Sequence, residues 1–153
     1  SPMVTRVASR NINQALSRTI QINEYVPTDC RLAVEDYSVD IVNAESSLYY
    51  NYYHDLKRYI HDIYRLLRRG GICRFVLKTD QDRYAKNEWK ISDFTYRVNL
   101  PGHWEDGMFV TCLPYSCLHD LFSKFSKVYI GREEYSYIDL VNIKSFWIVT
   151  VYK

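Results

Sequence analysis

Apolar side chains recur at intervals of three and four between residues 51 and 68: Tyr52, Leu56, Tyr59, Ile60, Ile63, Leu66 and Leu67. That interval places them on one face of an α-helix. The polar positions between them support the same reading. Asp55 with Arg58, Arg58 with Asp62, and Asp62 with Arg65 are spaced as helix ion pairs, each worth about 0.2–0.5 kcal/mol. Arg65, Arg68 and Arg69 gather at the far end, where positive charge opposes the helix dipole favourably, and Gly70-Gly71 then stops the helix.

Shorter patterns flank this helix. VDIV at 39–42, after the acidic turn Glu35-Asp36, predicts a buried strand, and ICRFVLK at 72–78 predicts a second. Strand, helix and strand make a βαβ unit, with parallel strands and a right-handed crossover. Upstream, 10–19 reads as a short helix between strands at 4–7 and 24–26. Downstream, strand-like pieces lie at 94–98 and 108–113 within an irregular stretch, 80–115, and a helix runs over 117–125. Strands at 127–130 and 145–152, separated by a turn region over 131–143, are expected to be antiparallel neighbours. The fold class is α/β, a single domain over 1–153 whose sheet is mostly parallel with an antiparallel C-terminal strand pair. Ser1-Pro2-Met3 reads as a cloning remnant and is set aside.

Composition narrows the function. The 153 residues are 47% apolar and 25% charged, enough for one domain with a core. Their longest unbroken apolar run, 146–149, is far too short to span a membrane. Nine of the basic residues precede Gly70 and eleven follow it, and the net charge is +2, so no charged tail announces a nucleic-acid partner. The five glycines stand at 70, 71, 102, 107 and 131, which excludes a Gly-rich phosphate loop from the first 69 residues. Cys30, Cys73, Cys112 and Cys117 form no C-x-x-C pair and read as reduced thiols in an intracellular, cytoplasmic protein. No metal site is assigned, since His54 and His61 lie two helical turns apart.

Four stretches together resemble the class I S-adenosylmethionine-dependent methyltransferases. Asp29 and Asp40 flank CRLAVEDYSV, similar to the stretch that leads from the adenine-proximal acidic residue to the fourth strand. SVDIVNAESSLYY resembles that strand and its carboxyl end, and DIYRLLRRGGICRFVLK the following helix, Gly-Gly turn and fifth strand. SCLHDLFSKFSKVYIGREEY with KSFWIVTVYK resembles the last helix and the closing strand pair. The resemblance implies a Rossmann-like methyltransferase sheet with S-adenosylmethionine as cofactor. Asp29 would hydrogen-bond the adenine amino group with Cys30 beside the ring, and Asn43 and Ala44 would complete the cofactor site. Asn43 and Glu45 would orient or deprotonate the methyl acceptor, and 80–115 would cover the active site and select that acceptor.

The family's first strand and Gly-rich loop have no counterpart, and the position of its ribose-gripping acid falls on Ala8. The expectation is an N-terminally shortened family sheet, either a piece of a longer enzyme or a chain whose cofactor site is reduced. A non-catalytic scaffold or regulatory protein is therefore one alternative. A nucleic-acid-binding module using the stripe His54, Arg58, His61, Arg65 and Arg68 is another, set against a plain solvated helix face. A sheet without its middle strand would expose edges, so a homo-oligomer is expected. In an open α/β sheet, ligands sit beyond the strands' carboxyl ends, which gathers Asp29, Cys30, 43–47 and 78–82. Plainer roles compete at each. Asp29 suits a turn after Pro27, Asn43 a turn cap, and Glu45 the surface. Trp89, Tyr96, Trp104 and Tyr115, with His103 and His119 nearby, read first as packing and second as an aromatic pocket.

Overall fold

Alternation along 72–78 sends side chains to opposite faces of a sheet, and the antiparallel neighbour strand shows which residues share a face. A computed structural model describes residues 34–136 and 142–153, all within one compact unit, Val34–Lys153. In it β2 (Leu67–Thr79) lies between β1 (Val39–Ala44), which pairs with it in parallel, and β7 (Lys144–Tyr152), which pairs antiparallel. Phe75 faces Val149 and Cys73 faces Val151, all 0% exposed, while Val76 and Lys78 meet Ile148 and Phe146 on the other face. β6 (Lys127–Tyr135) closes the sheet beyond β7, antiparallel as the sequence predicts.

The helix α1 (Tyr53–Leu66) buries Leu56, Ile60, Ile63 and Leu66, the expected stripe. Its last carbonyls are satisfied from outside the helix. Tyr37 N–H and Ser38 N–H donate to Arg65 and Leu66 carbonyls at 3.1 and 3.0 Å, and the Lys153 ammonium donates to that of Arg65 at 3.3 Å. Arg65 itself turns to Asp62 at 2.7 Å and to Asp36, and Arg68 to Asp40 at 2.9 Å, so these cations tie the approach to β1 onto the helix end.

The Gly-Gly pair sits inside β2. Val39 pairs with Leu67 and Ile41 with Ile72, so 68–71 bulge opposite the single residue Asp40. Gly70 supplies a φ of +75°, and a Cβ on Gly71 would stand 2.9 Å from the Arg68 carbonyl oxygen.

On the second face the segment after β2 folds back as a meander. β3 (Lys90–Ser92), β4 (Thr95–Arg97) and β5 (Phe109–Leu113) pair antiparallel in turn, and β5 joins the end of β2 in parallel at Lys78–Cys112. The stretch expected to be irregular is thus partly sheet. Tyr49, Val76, Tyr84, Tyr96, Val98, Val110, Cys112 and Phe146 form its core.

Three expectations need correction. β1 is not buried: of its six residues only Ala44 is buried and Ile41 is 71% exposed, β2 being its one strand partner among the described residues. The second helix, α2 (Tyr115–Leu121), is shorter than 117–125. The Ser123 hydroxyl donates to the Asp120 carbonyl at 2.9 Å and competes with the next turn. Phe122 and Phe125 still pack, Phe122 lying 5.1 Å from Phe75. Finally β6 runs on through 131–135, since its polar residues occupy an exposed edge where Gly131 still pairs with Ile148.

Candidate functional site

Parallel pairing places the carboxyl ends of β1 and β2 on the same side of the sheet, and two groups of side chains arise there. The first is Asn43, Ala44 and Glu45, together as expected at the end of β1. Asn43 and Glu45 are exposed and Ala44 is buried. Glu45 lies 3.9 Å from Arg74 of β2, with both side chains half exposed. Ser46 follows with a φ of 54°, an uncommon conformation for a residue with a side chain, and turns the chain towards Tyr49 and Tyr50. Asp29 and Cys30 lie outside the described residues, as do the elements expected at 4–7, 10–19 and 24–26.

The second group stands at the end of β2. Lys78 and Asp82 form an ion pair at 2.8 Å with side chains 3% and 0% exposed. The ammonium also lies 4.0 Å from the Phe146 ring centroid and 5.2 Å from those of Tyr49 and Tyr84. Asp82 further accepts from Ser145 N–H at 3.0 Å and Tyr84 N–H at 3.1 Å, so no face of that carboxylate is left over. Beside it Glu105, buried, accepts from the Tyr50 hydroxyl at 2.6 Å, from the Tyr84 hydroxyl, and from Arg83 at 3.4 Å. Burial alone would raise the Glu105 pKa. The two phenol hydrogen bonds and the Arg83 charge overcome it and hold the carboxyl below its ordinary range. Tyr50 and Tyr84 move the other way, pushed up first by burial and then by Glu105, so both remain protonated donors.

This arrangement gives each group a task. Glu105 has its oxygens engaged and serves to fix the Tyr50 phenol and, on the wall of the adjoining cavity, the Tyr84 phenol and the Arg83 guanidinium. Arg83 donates through Nη2 to Tyr84 as well, yet its Nε–H is buried without an acceptor. An unsatisfied donor of this kind costs about 1–3 kcal/mol. Cys73 and Cys112 are free but enclosed, and burial raises the Cys73 thiol to about 12, which makes it unreactive.

The aromatic and histidine residues singled out in the sequence separate. Trp89 and His103 line the cavity and Tyr96 is core, whereas Trp104 and Tyr115 are 69% and 64% exposed. His119 is exposed on α2. The basic stripe is largely matched by carboxylates: His54 and Arg58 lie 3.3 and 3.7 Å from Asp55, Arg65 meets Asp62, and Arg68 meets Asp40. Sequence reasoning reached Lys78 and Asp82 but missed Glu105, Arg83, Tyr84 and Lys86. Nothing in local spacing links Glu105 to Tyr50, 55 residues away.

Comparison with known proteins bears on the fold. Residues 1–75 match the sequence family described as Methyltransferase domain. An S-adenosylmethionine-dependent methyltransferase from Methanosarcina mazei superposes with a TM-score of 0.70 at 14% identity, over 97% of this chain and 74% of that one. The chain has the class I methyltransferase fold. A second S-adenosylmethionine-dependent methyltransferase, from Thermotoga maritima, superposes with a TM-score of 0.57 at 17% identity, over 94% of this chain and 69% of that one. No curated protein sequence matches. The Rossmann-like α/β class read from the sequence is therefore borne out, and the match over 1–75 agrees with the resemblance. Both of these structures are S-adenosylmethionine-dependent enzymes, and the end of β1 leaves room for such a cofactor. The Asn43 amide is open to solvent, and the small, buried Ala44 puts no bulk beside it. Asn43 and Ala44 would hold one flank of the cofactor, with Glu45 on the acceptor side.

Proposed function

We propose that this chain is a class I-like methyltransferase acting on a small acceptor held between the end of β1 and the 80–113 segment. The observation that carries the proposal is the open Asn43–Ala44–Glu45 corner at the carboxyl end of β1, in the strand arrangement of the methyltransferase fold. S-adenosylmethionine, when bound, supplies an activated methyl group on a sulfonium. The protein's part is then position and one proton. Methyl transfer is an in-line displacement, so fixing donor and acceptor supplies much of the rate. Asn43 can orient through its amide, and Glu45 can take the acceptor's proton. Asp29 and Cys30 are proposed for the adenine end.

The test is transfer of isotopic label from S-adenosylmethionine to a panel of small acceptors. Glu45→Gln is expected to lower the rate about 10²–10⁴-fold, the span of a general base. Asp29→Ala should weaken donor binding. An unchanged rate in Glu45→Gln would remove that residue's role. A second reading, a scaffold that keeps the fold without catalysis, draws on Ala8 at the ribose position. It expects no label transfer to any acceptor. We further propose a cytoplasmic homo-oligomer. The exposed Ile41 on β1, and the exposed strand β6, which among the described residues pairs with β7 alone, support self-association, and a monomer by light scattering would contradict it. Among the described residues no helix is long and apolar enough to cross a membrane.

A further inference from the structure

The cavity beside Glu105 has a volume of about 360 Å³, and Arg83, Tyr84, Lys86, Trp89, Leu100 and His103 are among its walls. Its charge is one-sided because the neighbouring carboxylates are already engaged. Asp82 is held by Lys78 and two backbone N–H groups, and Glu105 by Tyr50, Tyr84 and Arg83.

The cations are less committed. Lys86 has no carboxylate in ion-pair range among the described residues, and its ammonium lies 4.4 Å from the Trp89 ring centroid. Arg83 keeps a buried Nε–H with no acceptor, a guanidinium that an incoming anion could satisfy by a small rotation. Trp89 and Leu100, both partly buried against the core, give the cavity a flat apolar wall.

We infer that this cavity binds a small molecule with a flat apolar body and an anionic group, a carboxylate or a phosphate, the body against Trp89 and the anion on Arg83 and Lys86. As the identity of the methyl acceptor this rests on the transferase reading, whereas as a binding site it stands alone. A cationic ligand would meet two positive charges here with no carboxylate to spare, and an uncharged one would leave Lys86 without an anionic partner and the Arg83 Nε–H without an acceptor.

The test is titration of the chain with benzoate, phenyl phosphate and uncharged benzamide, followed by tryptophan fluorescence and calorimetry. At least one anion is expected to saturate the site and to bind about tenfold or more tighter than benzamide. A preference between the two anions names the group. Lys86 is exposed, so Lys86→Gln should fold and weaken the preferred anion about tenfold. Arg83→Lys should weaken it as well, with Lys86→Gln deciding if that variant misfolds. Equal binding of benzamide, no saturation by either anion, or unchanged affinity in Lys86→Gln would overturn the inference. S-adenosylhomocysteine is titrated in parallel. Anion binding without it upholds this site and fails the transferase reading, and the reverse result fails this site alone.

Discussion

At the amino end of β2, Arg68 meets Asp40 with side chains 54% and 71% exposed. At the carboxyl end, Lys78 meets Asp82 with 3% and 0% exposed. Both are strand-anchored ion pairs of similar length, yet they obey different physics. The first is solvated and screened, and links the start of β1 to the start of β2. The second has given up its hydration on both sides, a loss that Coulomb attraction alone does not reliably offset. It persists because Ser145, Tyr84 and three aromatic rings complete its surroundings. The fold therefore concentrates buried charge beside its cavity and leaves the opposite end of the same strand to backbone geometry.

The largest test of that contrast is Asp82→Ala. It strands the Lys78 ammonium and two N–H donors, and should cost about 3–5 kcal/mol in urea denaturation. Adding Lys78→Met should restore part of the loss, and a single-variant cost close to that of a surface pair would erase the contrast. Next comes backbone geometry at the other end. Gly71→Ala brings a Cβ to 2.9 Å from the Arg68 carbonyl oxygen, and overpacking of this kind costs roughly 1–3 kcal/mol. Gly70→Ala meets open space, so only its φ of +75° counts, at about 1–2 kcal/mol.

Much of this was legible in the sequence. The three-and-four spacing of Leu56, Ile60, Ile63 and Leu66 gave α1, whereas Gly70-Gly71, expected to stop the helix, lies inside β2, because the helix already ends at Leu66 and the pair forms a bulge opposite Asp40. The corner at Asn43, Ala44 and Glu45 followed from the family pattern. What stayed hidden depends on contacts far apart in the chain. Glu105 becomes a buried carboxylate only because Tyr50, Tyr84 and Arg83 converge on it, and composition around 103–107 does not show that. The extent of β6 was missed for a related reason: its polar residues 131–135 find a strand partner in β7 that local pattern cannot reveal.

Glu105 also gives the carboxyl end its own pH signature. Its folded pKa lies below the ordinary carboxylate value, so the stabilisation is complete above the unfolded pKa and disappears as pH falls through the folded one. Denaturation midpoints should drop over that acid range in the parent chain, with this component absent in Glu105→Gln. A parallel acid profile in the variant would mean the carboxyl is not held as described. The smallest effect is expected at the amino end: Arg68→Ala, which removes an exposed pair, should cost under about 1 kcal/mol. A larger loss there would make the two ends of β2 alike.

Calorimetric titration of S-adenosylhomocysteine into the chain addresses the central claim, that the corner ending β1 receives the donor. Saturable heat in the parent, weakened in Asn43→Ala at unchanged stability, is the predicted result. An absence of heat at any ratio, or identical binding in that variant, would contradict it.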